Sequence, residues 1–97
     1  MTEDIRNNTK LHRFELDVDG RTAAAYYKLA PGVITFTHTE VPQELSGHGI
    51  GSKLVRSALE AARAQKHKVV AKCPFVSAYI AKHPEFNDLL LRTSDGR

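Results

Sequence analysis

From Leu11 onward apolar and polar residues alternate. His12, Phe14, Leu16 and Val18 fall on one face and Arg13, Glu15 and Asp17 on the other, the period of a half-buried strand. Asp19-Gly20 is a two-residue hairpin turn. Arg21 to Leu29 alternates again, with Ala23, Ala25 and Tyr27 set against Ala24 and Tyr26. Ala30-Pro31-Gly32 turns the chain into Val33 to Thr39, a β-branched strand in which Ile34, Phe36 and His38 share a face. Val41 continues or restarts an extended segment, and Pro42 limits its pairing. The period then becomes helical. From about Ile50 to Lys66, an apolar stripe of Ile50, Leu54, Ala58, Leu59 and Ala62 opposes a solvated stripe of Lys53, Arg56, Glu60 and Arg63. Lys68 to Cys73 reads as a short buried strand ended by Pro74. Phe75 to His83 reads as a short helix stopped by Pro84. Glu85 to Leu91 is ambiguous, and residues 1–9 and 93–97 are polar enough to be expected loose.

This order predicts one α+β domain over residues 1–97, an antiparallel meander feeding a strand–glycine loop–helix–strand–short helix unit. A helical crossover joins the last strand to the one before the loop, so the two are expected to be parallel.

Between the meander and the long helix runs Glu44-Leu45-Ser46-Gly47-His48-Gly49-Ile50-Gly51-Ser52-Lys53-Leu54. Glycines opening a helix leave backbone N–H groups unobstructed at the positive end of the helix dipole, which suits a phosphate and best a pyrophosphate. The same glycines can also serve only as a tight turn. The Gly-x-Gly-x-Gly spacing is neither a P-loop, since Gly51-Ser52-Lys53 lacks the Gly-Lys-Ser/Thr ending, nor the dinucleotide fingerprint.

The totals narrow the partners. A net charge of +3 spread along 97 residues, with no basic tail, makes nucleic acid a poor fit and a small anionic ligand a good one. No apolar run approaches the roughly 20 residues of a membrane span, and the polar start carries no signal core. A single cysteine, Cys73, excludes an internal disulfide and fits a reducing cytoplasm. The five histidines are scattered without ligand spacing, so no metal is expected.

Val41-Pro42 followed by the glycine loop and helix resembles the acyl-CoA motif of the GNAT superfamily of N-acetyltransferases, Arg/Gln-x-x-Gly-x-Gly/Ala, with Gly49 and Gly51 in the two small positions. Ser46 stands where that motif has Arg or Gln. The resemblance extends from about Phe14 to Leu89 to the small stand-alone YjdJ-type GNAT-like proteins. It runs through His38-Thr39-x-Val41, Ala62-Arg63, Lys68-Val69-Val70, Cys73-Pro74-Phe75-Val76 and Tyr79-Ile80-x-Lys82-His83-Pro84-Glu85-Phe86. It implies acetyl-CoA as acyl donor, with the pyrophosphate on the amides of Ser46, Gly47, His48, Gly49, Ile50, Gly51 and Ser52. It further implies that the pantetheine arm runs along the strand at Val41 and that Pro74, Phe75 and Tyr79 complete the cofactor contacts, Tyr79 being otherwise a core residue. An amine that the sequence does not identify is the expected acceptor, and a monomer or weak dimer the expected state.

Three groups are candidates for the chemistry. Cys73 is either a small core residue or a thiol beside the acyl thioester, able to accept the acetyl group or hydrogen-bond the leaving thiol. His38 and Glu40 are candidate general bases, although a histidine on an apolar face is more often a hydrogen-bonded core residue. Two functions remain open: an N-acetyltransferase acting directly or through Cys73, and a non-catalytic module that holds CoA or acetyl-CoA.

Overall fold

The computed structural model describes residues 5–45, 47 and 49–91. Strands β1 (Ile5–Asn8), β2 (Arg13–Val18), β3 (Arg21–Ala30) and β4 (Val33–Glu40) form an antiparallel meander. A short 3-10 turn (Gln43–Leu45) and the glycine loop lead into helix α1 (Ile50–Ala64). Strand β5 (Lys68–Ala71) then pairs parallel to β4, giving a five-stranded sheet in the order β1-β2-β3-β4-β5. Helix α2 (Pro74–Lys82) and a 3-10 segment (Pro84–Leu89) complete the chain.

The core lies between α1 and one sheet face. Phe14, Leu16, Ala23, Ala25, Tyr27, Ile34 and Phe36 meet Leu54, Val55, Ala58, Leu59 and Ala62 there. The three small alanines of β3 matter sterically, because Ala23 and Ala25 let the helix approach the sheet while Ala24 lies buried on the opposite face. The last segment is clamped by Arg63, whose guanidinium donates to Asp88 (2.7 Å) and to the Glu85 carbonyl (2.9 Å) while lying over the Phe86 ring.

Two sequence expectations are corrected by tertiary context. Residues 1–9 were expected loose, yet Ile5–Asn8 is a strand, in register with Arg13–Leu16. Its polar sequence carries no apolar period; Ile5 packs against the core, Asn7 accepts from the Tyr27 phenol, and Arg6 pairs with Glu15 and Asp17. The second correction is Glu15, placed by alternation on a solvated face. It is only 1% exposed, because Arg6 (2.6 Å), Arg13 and Asn8 (3.1 Å) close over it.

Burial pushes the Glu15 carboxyl up, but hydrogen bonds from Arg13 and Asn8 and the charges of Arg13 and Arg6 outweigh that, so it lies below the ordinary carboxylate range. A depressed folded-state value means the stabilisation is complete above the unfolded value of about 4.3 and is lost as pH falls through the folded one. We expect the denaturation midpoint to fall as pH drops below about 4. Glu15→Gln should lower stability by about 1–3 kcal/mol at neutral pH and flatten that acid-side decline. A variant whose pH profile parallels the parent would remove Glu15 from the account.

Candidate functional site

The site begins where the β4–β5 ladder stops. The parallel register runs from Val33↔Lys68 to Phe36↔Ala71. The Phe36 carbonyl then accepts from both Lys72 N–H and Cys73 N–H, each at 3.0 Å, and β5 leaves the sheet for α2. β4 continues to Glu40 along β3 alone. One side of β4 past Phe36 is therefore a strand edge facing the first turn of α2.

At the same place β4 is bulged. Tyr26 faces His38 while Tyr27 faces Phe36, which leaves Thr37 as the extra residue, its hydroxyl reaching the Tyr26 carbonyl (3.5 Å). An extra residue reverses the inward–outward alternation beyond it. His38, expected on the face of Ile34 and Phe36, is therefore on the opposite face beside Tyr26, their rings 5.8 Å apart, with its side chain 61% exposed. Glu40 follows it there, 3.4 Å from His38 Nε2. Thr39 turns inward instead, its hydroxyl 3.2 Å from the Cys73 sulfur. Cys73 is buried at the N-cap of α2, just ahead of Pro74 in the first helical position. His38 and Glu40 thus flank β4 on one face, and Cys73 with Thr39 on the other.

Further along β4, a cavity of about 240 Å³ is lined by Val41, Leu45, Gly47, Gly49, Ile50, Gly51, Ser52 and Phe75. Of the sequence-derived contacts, Val41, the three glycines, Ile50, Ser52 and Phe75 converge on it. Leu45 is an addition that the sequence signals only as an apolar residue before the loop. Pro74 and Tyr79 are not among its lining residues; Tyr79 is buried against α1 and stacks on His83 at 4.1 Å. Ser46 and His48 lie outside the described residues.

Each glycine has its own physical reason. Gly47 (φ 85°) and Gly49 (φ 73°) occupy left-handed backbone that side-chain-bearing residues enter at a cost. Gly51 is helical, but a Cβ there would sit 2.6 Å from the Phe75 ring, which packs over it. Buried Leu45 and Ile50 peg the loop at both ends. Gly49 is the N-cap of α1, and the first helical bond runs from Lys53 N–H to its carbonyl (3.0 Å). The N–H groups of Ile50, Gly51 and Ser52 therefore have no intrahelical acceptor, and the first turn contains no acidic residue. A fifteen-residue helix aims its positive end at the cavity. The arrangement suits an anion at the loop and an extended chain along β4, ending at Thr39 and Cys73.

Among the described residues, no group of three or more His, Cys, Asp or Glu side chains is placed to hold a metal ion. No helix among them is long and apolar enough to cross a membrane.

Comparison with known proteins agrees with this fold. The family model for GCN5-related N-acetyl-transferases matches residues 13–89. The chain is 24% identical over 83 residues to protein NATD1 of Gallus gallus, covering 82% of this chain and 76% of that protein. Its fold is similar to the solution NMR structure of a GCN5-like protein from Staphylococcus aureus proposed to be an N-acetyltransferase. The TM-score is 0.71 and the identity 28%, over 91% of this chain and 87% of that one.

The two kinds of glycine predict different outcomes. Gly49→Ala should cost about 1–2 kcal/mol in chemical denaturation, the strain of a Cβ in left-handed backbone. Gly51→Ala should leave stability within about 1 kcal/mol but displace the Phe75 ring, seen as moved aromatic NMR resonances. Unmoved Phe75 signals in the second variant would contradict the packing described.

Proposed function

The chain belongs to the GCN5-related N-acetyltransferase family, and from that premise we propose that it binds acetyl-CoA between β4 and α2 and passes the acetyl group to an amine. The observation that carries the reading is the break in the β4–β5 ladder at Phe36, in line with the glycine loop.

In this reading the pyrophosphate meets the N–H groups of Ile50, Gly51 and Ser52 at the head of α1. The unpaired edge of β4 past Phe36 supplies backbone groups for the pantetheine amides, and the same edge orients the thioester carbonyl. The edge thus fixes the donor before any side chain takes part. The family motif's Arg or Gln is Ser46 here, so the loop relies on backbone amides and the helix dipole.

The acetyl group moves when the amine nitrogen forms a bond to the carbonyl carbon and the carbon–sulfur bond breaks. The amine loses a proton and the departing thiolate gains one. Glu40, with His38 3.4 Å away, faces solvent on the side of β4 opposite Cys73, and in this reading it takes the proton from an approaching amine. The Thr39 hydroxyl and Cys73 thiol line the inner side, where the leaving sulfur needs a donor.

A second route runs through Cys73, favoured by its position at the N-cap of α2 with Thr39 against its sulfur. There the Cys73 sulfur bonds to the acetyl carbonyl carbon as the CoA carbon–sulfur bond breaks, and the thiol proton ends on the departing CoA sulfur; the amine nitrogen then displaces Cys73, whose sulfur takes up the proton that the amine loses. Intact mass separates the routes. The direct route predicts no acetyl adduct on the protein after incubation with acetyl-CoA alone, whereas a stable adduct lost in Cys73→Ala establishes the relay.

Calorimetry tests the donor site itself. Acetyl-CoA should bind at least roughly tenfold more tightly than acetyl-pantetheine, ~1.4 kcal/mol, because only the former carries the pyrophosphate. Equal affinities would contradict a pyrophosphate on the loop. Saturable binding without transfer to any amine would establish the non-catalytic CoA-binding alternative.

A further inference from the structure

We propose that Tyr26 is the positioning residue of the acceptor side, holding Glu40 in place through a hydrogen-bond chain that crosses the open face of the sheet; the role rests on the transferase reading above.

The chain is continuous over three strands. Buried Glu15 on β2 binds the Arg13 guanidinium through Nε. Arg13 Nη1 donates to the Tyr26 phenol oxygen on β3 at 2.8 Å, and its guanidinium lies over the Tyr26 ring, 5.5 Å from the centroid. Having accepted from Arg13, the phenol donates its own proton toward Glu40 Oε1 on β4, at 3.4 Å. Each donor is thereby oriented by the one behind it. Arg6 closes the far end by pairing with both Glu15 and Asp17, at 2.6 Å each.

Charge balance on this face singles out Glu40. Glu15 is neutralised by Arg6 and Arg13, and Asp17 by Arg6. Among the described residues, the recorded side-chain partners of Glu40 are the Tyr26 phenol and His38. Among the described residues its carboxylate is paired with no lysine or arginine in the recorded ion pairs, and it stands at the rim of a cavity of about 420 Å³ lined by Thr22, Thr39, Glu40, Val41 and Pro42. That cavity shares Val41 with the glycine-loop cavity and Thr39 with Cys73. A primary ammonium drawn to Glu40 is thus brought to the strand that separates the two faces.

The bulge explains why a tether is needed. Thr37 is unpaired with β3, and Glu40 ends the strand with its side chain 61% exposed. Without Tyr26 the remaining recorded partner of the carboxylate among the described residues is its exposed histidine neighbour. Tyr26→Phe removes the phenol oxygen while keeping the ring beneath Arg13.

The test is a double-mutant cycle on the full chain, following release of the CoA thiol from acetyl-CoA with spermidine and with Nα-blocked lysine amide. Tyr26→Phe should lower kcat about tenfold with the KM for acetyl-CoA unchanged. Glu40→Gln should lower it about a hundredfold. The double variant should be no slower than Glu40→Gln alone, because Tyr26 acts through Glu40. Additive losses, or a Tyr26→Phe rate equal to the parent, would overturn the role while leaving the transferase reading intact. A parent protein that binds acetyl-CoA but releases no thiol with either amine removes both together.

Discussion

The fold depends on one carbonyl. At Phe36 the ladder between β4 and β5 ends with its oxygen shared by Lys72 and Cys73. A strand losing its neighbour in the middle of a sheet normally leaves costly unpaired backbone groups. Here the freed stretch of β4 is bulged at Thr37, still paired to β3 on its other side, and bordered by the first turn of α2. Everything assigned to the site follows from that parting. In the proposed function the gap takes the thioester and the loop at its end the phosphate, while the bulge decides which side chains face the gap.

The parting requires support on both faces. On the inner face, α1 packs on the sheet through alanines and branched aliphatics, with Leu54 and Leu59 fully buried. Among the described residues the other face around Glu15 is covered by ion pairs. Arg6, Asn8 and Arg13 fold over Glu15, and Tyr26 lies under Arg13. Exposed ion pairs contribute little individually. A network around a buried carboxylate is different, since losing any member leaves charge without a partner. The same network extends to Glu40, so the cover of the sheet and the proposed acceptor side share residues.

Much of this was legible in the residues. The meander followed from the alternation in Phe14 to Val18 and Ala23 to Tyr27 with Asp19-Gly20 between them, and α1 from its apolar stripe. The glycine loop declared its conformation, and seven of the residues inferred for it line one cavity. Three features were not legible. β1 has no apolar period because its anchors are Arg6 and Asn8. Glu15 reads as solvent-facing because its partners come from other strands. His38 was placed on the wrong face because no glycine or proline marks the bulge at Thr37. All three are long-range effects that a local period cannot encode, and two of them concern the proposed acceptor side.

The most direct test of the central claim is an amide NMR titration of the labelled protein with acetyl-CoA. The account predicts saturable shifts at Gly47, Gly49 and Ile50 to Ser52, along β4 from Thr37 to Val41, and at Cys73 and Phe75. Smaller effects are predicted at the β3–β4 hairpin around Ala30 and Val33. Shifts confined to other surfaces, or none at millimolar ligand, would contradict it and leave the glycine loop as a turn that serves only the fold.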